Sequence, residues 1–208
     1  MHGPTTAFDE VVEYSEIFEP YAHTYGDNTS TEENLHDLFK DVPLDTFKTY
    51  IRKYEAQGGD FEGIPYEADV GLIRVDSSKF KAMLLPNPAA MIQNIRELLP
   101  LLMEEDGLQL LGTLGADNGK LAEVPVNAEE FVRKIRHLAE IEKTIDSQME
   151  AYKRWQDMEQ LFVEEEWTMP DKLKDQRIML AQSVKNLEEG VERTNVTKGS
   201  DIDKFAQM

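Results

Sequence analysis

The stretch VGLIRVDSSKFKAMLLPNPAAMIQNIRELLPLLM, residues 70–103, decides how the chain folds. Residues 70–75 are apolar on both faces except at the end of the run, and they indicate one short buried strand or extended segment. Asp76, Ser77 and Ser78 follow as a helix-initiating cap, because short oxygen-bearing side chains accept hydrogen bonds from the amides of a first turn. We therefore expect a short extended piece and then a helix.

Prolines punctuate the rest of this stretch. Pro86, Asn87 and Pro88 are expected to break the first helix and to start a second, with Asn87 as its cap and Pro88 at its first helical position. Pro100 should kink this second helix or mark a junction with a further turn, since proline removes a backbone hydrogen bond and crowds the preceding turn. The stretch thus predicts helices joined by bends of fixed direction.

Upstream, residues 1–65 are interpreted as an acidic helical lead-in. The polar run GDNTST, residues 26–31, is rich in turn-forming residues and predicts a break between two helices. Apolar and aromatic residues then recur at helical spacing from Leu44 onward, and the pair Gly58 and Gly59 is expected to end that helix. The aromatic stripe of the helix is interpreted as core packing.

Residues 66–126 are predicted to form a strand-turn-helix junction that ends in a glycine-rich surface loop over 104–126. A nucleotide site could be suspected in this loop. The phosphate-binding pattern needs four residues between its first glycine and the Gly-Lys pair, followed by Ser or Thr. Here three residues separate Gly115 from Gly119, and Lys120 is followed by leucine. The pattern fails twice, so no nucleotide site is predicted.

Residues 127–208 are predicted to form a long helical hairpin. Asn127 and Glu130 make a capping-box-like pair, and apolar residues then recur every three or four positions as far as Phe162. A second helix, beginning near Pro170, has apolar positions at nearly heptad spacing. The two apolar stripes should pack together with the helices antiparallel. The predicted fold is all-α: an elongated bundle of long antiparallel amphipathic helices, coiled-coil-like, with at most one short extended segment.

Composition argues against several kinds of site. The chain has no cysteine, which excludes disulfides, thiolate metal sites and a cysteine nucleophile. Its four histidines are too scattered for a shared metal site: His2, His23, His36 and His137. A net charge of -19 argues against nucleic-acid and anionic membrane partners. No catalytic, cofactor-binding or metal-binding residue is predicted, and without a signal peptide or an apolar span we expect a soluble intracellular protein.

The order of several motifs resembles the tail of dynein heavy chains, most closely those of axonemal dyneins. The motifs are Val70-Gly71-Leu72-Ile73-Arg74-Val75-Asp76 with Lys79 and Lys81, Leu84-Leu85-Pro86-Asn87-Pro88, Leu98-Leu99-Pro100, and Asn127-Ala128-Glu129-Glu130-Phe131. The resemblance covers roughly residues 66–205 and points to the tail region immediately before the linker. The order of the set carries the resemblance.

What the resemblance implies is a non-catalytic, force-bearing segment of a minus-end-directed, ATP-driven microtubule motor of cilia and flagella. The family's ATP sites lie in AAA modules far downstream, so we expect no enzymatic activity and no cofactor in this chain. The implied partners are other dynein heavy, intermediate or light chains, axonemal docking proteins and the linker of the same heavy chain. The implied location is the cytoskeleton of the cytoplasm and the axoneme of a cilium or flagellum.

Two other hypotheses stay open. The chain could be an independent helical scaffold or adaptor with no motor attached, or, less favoured, an enzyme with an unrecognised acidic site. A periodic pattern that starts at Ile202 and Phe205 stops abruptly, so we expect the chain to continue into a longer protein. A reading frame that runs on into nucleotide-binding modules would favour the dynein hypothesis over the scaffold hypothesis.

Overall fold

The computed structural model describes residues 6–40 and 42–206 of the chain. Within them are eight helices and two strands: α1 (Ala7–Glu16), α2 (Glu19–Glu33), α3 (Leu35–Phe39), α4 (Leu44–Glu62), β1 (Glu67–Val70), β2 (Ile73–Asp76), α5 (Ser78–Leu84), α6 (Pro86–Ala122), α7 (Ala128–Glu164) and α8 (Asp171–Ala206). The predicted all-α class is confirmed, because the described residues outside the helices form only one two-stranded sheet. No described helix is both long and apolar enough to cross a membrane.

The chain divides into two compact units, Met1–Leu98 and Leu99–Met208. The first contains α1 to α5, the two strands and the start of α6. The second contains the rest of α6 with α7 and α8. The three-part organisation expected from the sequence, with boundaries after residues 65 and 126, stays a prediction.

In the first unit, a β-hairpin replaces the single extended segment that the sequence predicted. β1 and β2 pair antiparallel with Val70 opposite Ile73, so Gly71 and Leu72 form a two-residue turn. Gly71 has φ of +58°, which fits a type II′ turn with glycine at its first central position. A side chain at this position would also collide with the Glu10 carboxylate of α1. The apolar run therefore forms parts of two strands and their turn.

One hydrophobic cluster in the core of the first unit lies where α4 ends and α5 begins. Its buried residues are Phe61, Ile64 and Leu84, with Phe18, Tyr21, Tyr25, Phe80 and Leu85 packed against them. Beside this core, the buried Lys81 side chain donates from Nζ to the carbonyl oxygens of Glu62 at 2.6 Å and Ile64 at 2.9 Å. Lys81 therefore provides hydrogen bonds to one carbonyl group in the last turn of α4 and to another just beyond the helix.

The polar run at residues 26–31 lies inside α2, so the break predicted there is wrong. Asn28 from this run is fully buried, and its Nδ2 donates to Gln57 Oε1 at 2.8 Å and to Asn87 Oδ1 at 2.7 Å. These two bonds join α2 to α4 and to the first turn of α6, and tertiary contacts of this kind override weak local propensity. Asn87 is accordingly not a cap, because α6 already begins at Pro86.

The Gly58-Gly59 pair does not end α4, which continues to Glu62 and is followed by Gly63 as its C-cap. Only residues 63–66 therefore connect α4 to β1. The aromatic stripe of this helix is core, as predicted, since Phe47, Ile51 and Tyr54 are buried.

In the second unit, α6 continues through Pro100 to Ala122, so the predicted glycine-rich loop over 104–126 is wrong. Leucines at helical spacing within this segment are buried, among them Leu110, Leu114 and Leu121. Burial of this apolar stripe outweighs the low helix propensity of the glycines beside it. Pro100 lies inside α6, so the junction considered at this proline is not present.

Hydrogen bonds show that α6 and α7 are antiparallel. Trp155 Nε1 donates to the Met103 carbonyl oxygen at 3.0 Å, and Gln148 Nε2 donates to Asp117 Oδ2 at 2.8 Å. A position farther along α6 thus meets an earlier position of α7. Trp155 is fully buried, so its indole N–H needs such a partner.

The predicted hairpin of α7 and α8 is also antiparallel. Arg177 bonds to Glu159 at 2.8 Å near one end, and Asn195 bonds to Glu142 at 2.9 Å farther along. Because α6 also bonds to α8, through Asn118 Nδ2, which donates to the Ser183 carbonyl oxygen at 2.9 Å, the second unit is a three-helix bundle.

Both ends of α7 are capped. Asn127 Oδ1 accepts a hydrogen bond from the Glu130 backbone N–H at 2.9 Å, which confirms the predicted N-cap. At the other end, Glu166 has φ of +54° and the Trp167 N–H donates to the Phe162 carbonyl oxygen at 2.8 Å. The rings of Phe162 and Trp167 meet edge to face at 6.2 Å. This is a Schellman ending with its hydrophobic contact.

Candidate functional site

The described residues contain no group of three or more histidine, aspartate or glutamate side chains placed to hold a metal ion. His23, His36 and His137 lie apart on three helices, each 3.4–3.7 Å from a carboxylate of its own helix. His2 lies outside the described residues. The histidines that the structure describes are therefore not brought together.

The segment in which a nucleotide site was considered, Gly115 to Lys120, lies in the interior of α6. Its backbone N–H groups are used in the helix, whereas a phosphate-binding loop needs such groups free. Lys120 Nζ lies 3.4 Å from Asp117 Oδ1, one turn earlier. The geometry of this segment is therefore that of a bundle helix.

Resolved pKa shifts of the carboxylates belong to local contacts near the ends of helices. Hydrogen bonds from neighbouring residues lower the pKa of three exposed aspartates: Asp9 through Thr6, Asp76 through Ser78 and Asp171 through Lys174. In the second unit, burial and then the nearby Arg193 guanidinium lower the pKa of Lys134, whose Nζ donates to the Glu123 carbonyl oxygen at 2.7 Å. These arrangements stabilise structure and do not form an acid–base pair.

One surface of the second unit is unusual. Six positions of α6, spaced by four and three residues, face away from its buried stripe and are here called the outer face of α6: Leu101, Glu105, Leu108, Gly112, Gly115 and Gly119. Leu101 is 64% exposed and Leu108 is 56% exposed. Only one of the six positions is charged, in a chain whose net charge is -19. The part of α6 in the second unit is therefore apolar on two opposite sides.

The three glycines of the outer face of α6 have no packing role within the described structure. A Cβ placed on Gly112, Gly115 or Gly119 would meet no atom within 4 Å. Gly107, on the inner side of the same helix, differs because a Cβ there would collide with the side-chain amide of Gln176. Glycine in a helix costs roughly 0.5–1 kcal/mol relative to alanine. Packing thus accounts for Gly107 but not for the outer glycines.

Sequence reasoning missed the outer face of α6 because it assigned residues 104–126 to a loop. The signal was present in the spacing of Leu101, Leu108, Gly112, Gly115 and Gly119, which repeats by sevens. That spacing is meaningful only in a continuous helix.

No family model matches the chain. A curated protein named dynein axonemal heavy chain 6, from Homo sapiens, is 23% identical to it over 141 residues. The match covers 68% of this chain but only 3% of that protein, so the chain is similar to a small part of a much longer polypeptide. The chain thus combines a largely helical fold with weak similarity to an axonemal dynein heavy chain.

Proposed function

We propose that the chain is a non-catalytic, force-bearing segment of a dynein heavy chain, lying in the tail immediately before the linker. The similarity over 141 residues to an axonemal dynein heavy chain carries this proposal. The fold is compatible with it, since bundled helices with long continuous elements suit a structural role. The motor's ATP-driven activity would reside in other parts of the heavy chain, and location in the axoneme would follow from the same assignment.

The outer face of α6 is the surface that we assign to partner contacts. Exposed leucines, nearly absent charge and open space over three glycines would let a helix of another subunit approach closely, because small residues allow helix backbones to come near one another. The partners that the assignment implies are other dynein heavy, intermediate or light chains, axonemal docking proteins and the linker of the same heavy chain.

A cross-linking experiment tests this surface. The purified chain and its Leu108→Glu variant are each incubated with a high-salt axonemal extract, cross-linked and analysed by mass spectrometry. We expect the original chain to cross-link to a dynein heavy, intermediate or light chain from residues near the outer face of α6. The charge in Leu108→Glu should reduce that yield about tenfold, as at an interface hot spot.

Ile178→Glu is the matched control, because Ile178 is 63% exposed on α8 and lies outside the outer face of α6. It should retain the cross-links. Equal loss in both variants, or cross-links only to proteins that are not dynein subunits, would contradict the assignment of this surface.

A further inference from the structure

An aromatic cavity in the first unit is not used by the proposed partner surface. It measures about 250 Å³ and lies between α1, the end of β2 and the start of α5. Its apolar walls come from Val11, Phe18, Val75 and Phe80. Phe18 meets Phe80 edge to face at 5.3 Å, so the walls already have the geometry that aromatic rings prefer.

Two hydroxyl groups among the lining residues lack hydrogen-bond partners within the described structure. They are Tyr14 Oη and Ser77 Oγ, and both atoms are removed from solvent. Ser77 as a whole is only 5% exposed. A buried hydroxyl without a partner is costly, and a rotation of its side chain toward a new acceptor would break no existing hydrogen bond. The cavity thus has apolar walls, and two of its lining residues carry unpartnered hydroxyl groups that are covered and do not face its open space.

A third hydroxyl in the lining differs. Ser15 Oγ donates to the Val12 carbonyl oxygen at 2.7 Å, so its hydrogen is already used within α1. Ser15 and Asp76 are exposed, which shows that the cavity opens to solvent beside them. A ligand could therefore enter from outside.

We propose that this cavity binds an aromatic ring that carries one hydrogen-bonding group, such as a phenol or an indole. The volume lies below the roughly 300 Å³ at which pockets for drug-sized molecules begin, so it suits a single ring. The walls would stack on the ring, and Ser77 or Tyr14 would bond to its polar group after a small rotation of the side chain. The proposal is independent of the dynein assignment. The ring could belong to a free molecule or to a tyrosine or tryptophan side chain of a partner protein.

The test is a titration of the full chain followed by NMR, using p-cresol and toluene as probes that differ by one hydroxyl group. We expect p-cresol to shift the amide signals of Val75 to Phe80 and to bind about three- to tenfold more tightly than toluene, the effect of one net hydrogen bond. In the Tyr14→Phe/Ser77→Ala double variant this preference should disappear while toluene binding remains. Ser15→Ala should retain the preference.

The double variant should fold, since Tyr14→Phe keeps the ring and the Ser77 hydroxyl makes no cap bond to α5; its circular dichroism melt checks this. A further arm uses N-acetyl-Ala-Tyr-Ala-amide. Binding of this peptide supports the site and favours a partner protein as the source, whereas binding of p-cresol alone supports the site and favours a free molecule. Equal binding of p-cresol and toluene, no binding of either, or a preference that survives in the double variant would overturn the proposal.

Discussion

At the residue scale, Glu166 shows how a single backbone angle limits stability. Among the described residues it is the non-glycine residue with positive φ, +54°, and it lies just after the C-cap of α7. A side chain costs about 1 kcal/mol or more in this left-handed conformation, which glycine adopts freely. Glu166→Gly should therefore raise the free energy of unfolding by about 1 kcal/mol in urea titration.

Gln156→Gly, at an exposed position inside the same helix, is the control and should lower stability, since glycine is a poor helix former. If Glu166→Gly were as destabilising as Gln156→Gly, the Schellman ending would not be the conformation of this turn.

Tyr54 should make the first unit sensitive to alkali. Burial, and to a smaller extent the neighbouring Tyr50, raises the pKa of Tyr54 to about 12 from an ordinary 10.0. Between these values the unfolded chain has lost the phenolic proton that the folded chain keeps, so the free energy of unfolding falls as pH rises. Below pH 10 Tyr54 is protonated in both the folded and the unfolded chain, so its contribution to the free energy of unfolding is fully present.

Denaturation measured from pH 9 to 12 should show that the free energy of unfolding falls with pH in the original chain and falls less in Tyr54→Phe. Phenylalanine should also fold well at pH 7, because the Tyr54 hydroxyl has no hydrogen-bond partner in the described structure. Tyr66→Phe, at a residue that is 58% exposed, should keep the loss. Identical alkaline profiles for all three chains would show that Tyr54 does not titrate in this way.

At the element scale, α6 separates glycines that the fold needs from glycines that it does not. Gly115→Ala should raise the free energy of unfolding of the isolated chain by about 0.5–1 kcal/mol, because its Cβ enters open space. Gly107→Ala should lower it, since the Gln176 amide, which donates to the Glu104 carbonyl oxygen at 3.0 Å, would have to move. Thermal and urea melts of both variants measure these changes.

This pair also bears on the partner surface. If Gly115→Ala destabilised the isolated chain, the glycine would be required by the fold itself, and the argument for close approach of another helix would fail.

The elements also show where sequence reasoning succeeds and fails. The cap at Asn127 and the stripe of α4 were predictable, because their signals are local. The continuity of α6 could not be predicted in this way. Its glycines and proline have low helix propensity and indicate a loop, whereas the burial of Leu114 and Leu121 depends on tertiary packing that local propensity does not include. The hairpin had a local signal in Gly71, but an apolar run of this length is equally compatible with a single buried strand.

At the scale of the whole molecule, the second unit is a three-helix bundle where the sequence predicted a hairpin of two helices. Ile145, on the apolar stripe of α7, is only partly buried, whereas Leu180 and Leu187 of α8 are fully buried. The third helix could not be predicted while its segment was assigned to a loop. The absence of catalytic residues was a prediction from composition and motifs and stays one.

The proposal that these residues are a segment of a dynein heavy chain can be tested by the size of the native polypeptide. An antibody raised against the purified chain is used to isolate the endogenous protein from ciliated cells, and the product is sized on a gel and sequenced by mass spectrometry. We expect a polypeptide far larger than 23.8 kDa that also yields peptides from AAA nucleotide-binding modules. A product near 23.8 kDa without such peptides would contradict it and favour an independent helical scaffold.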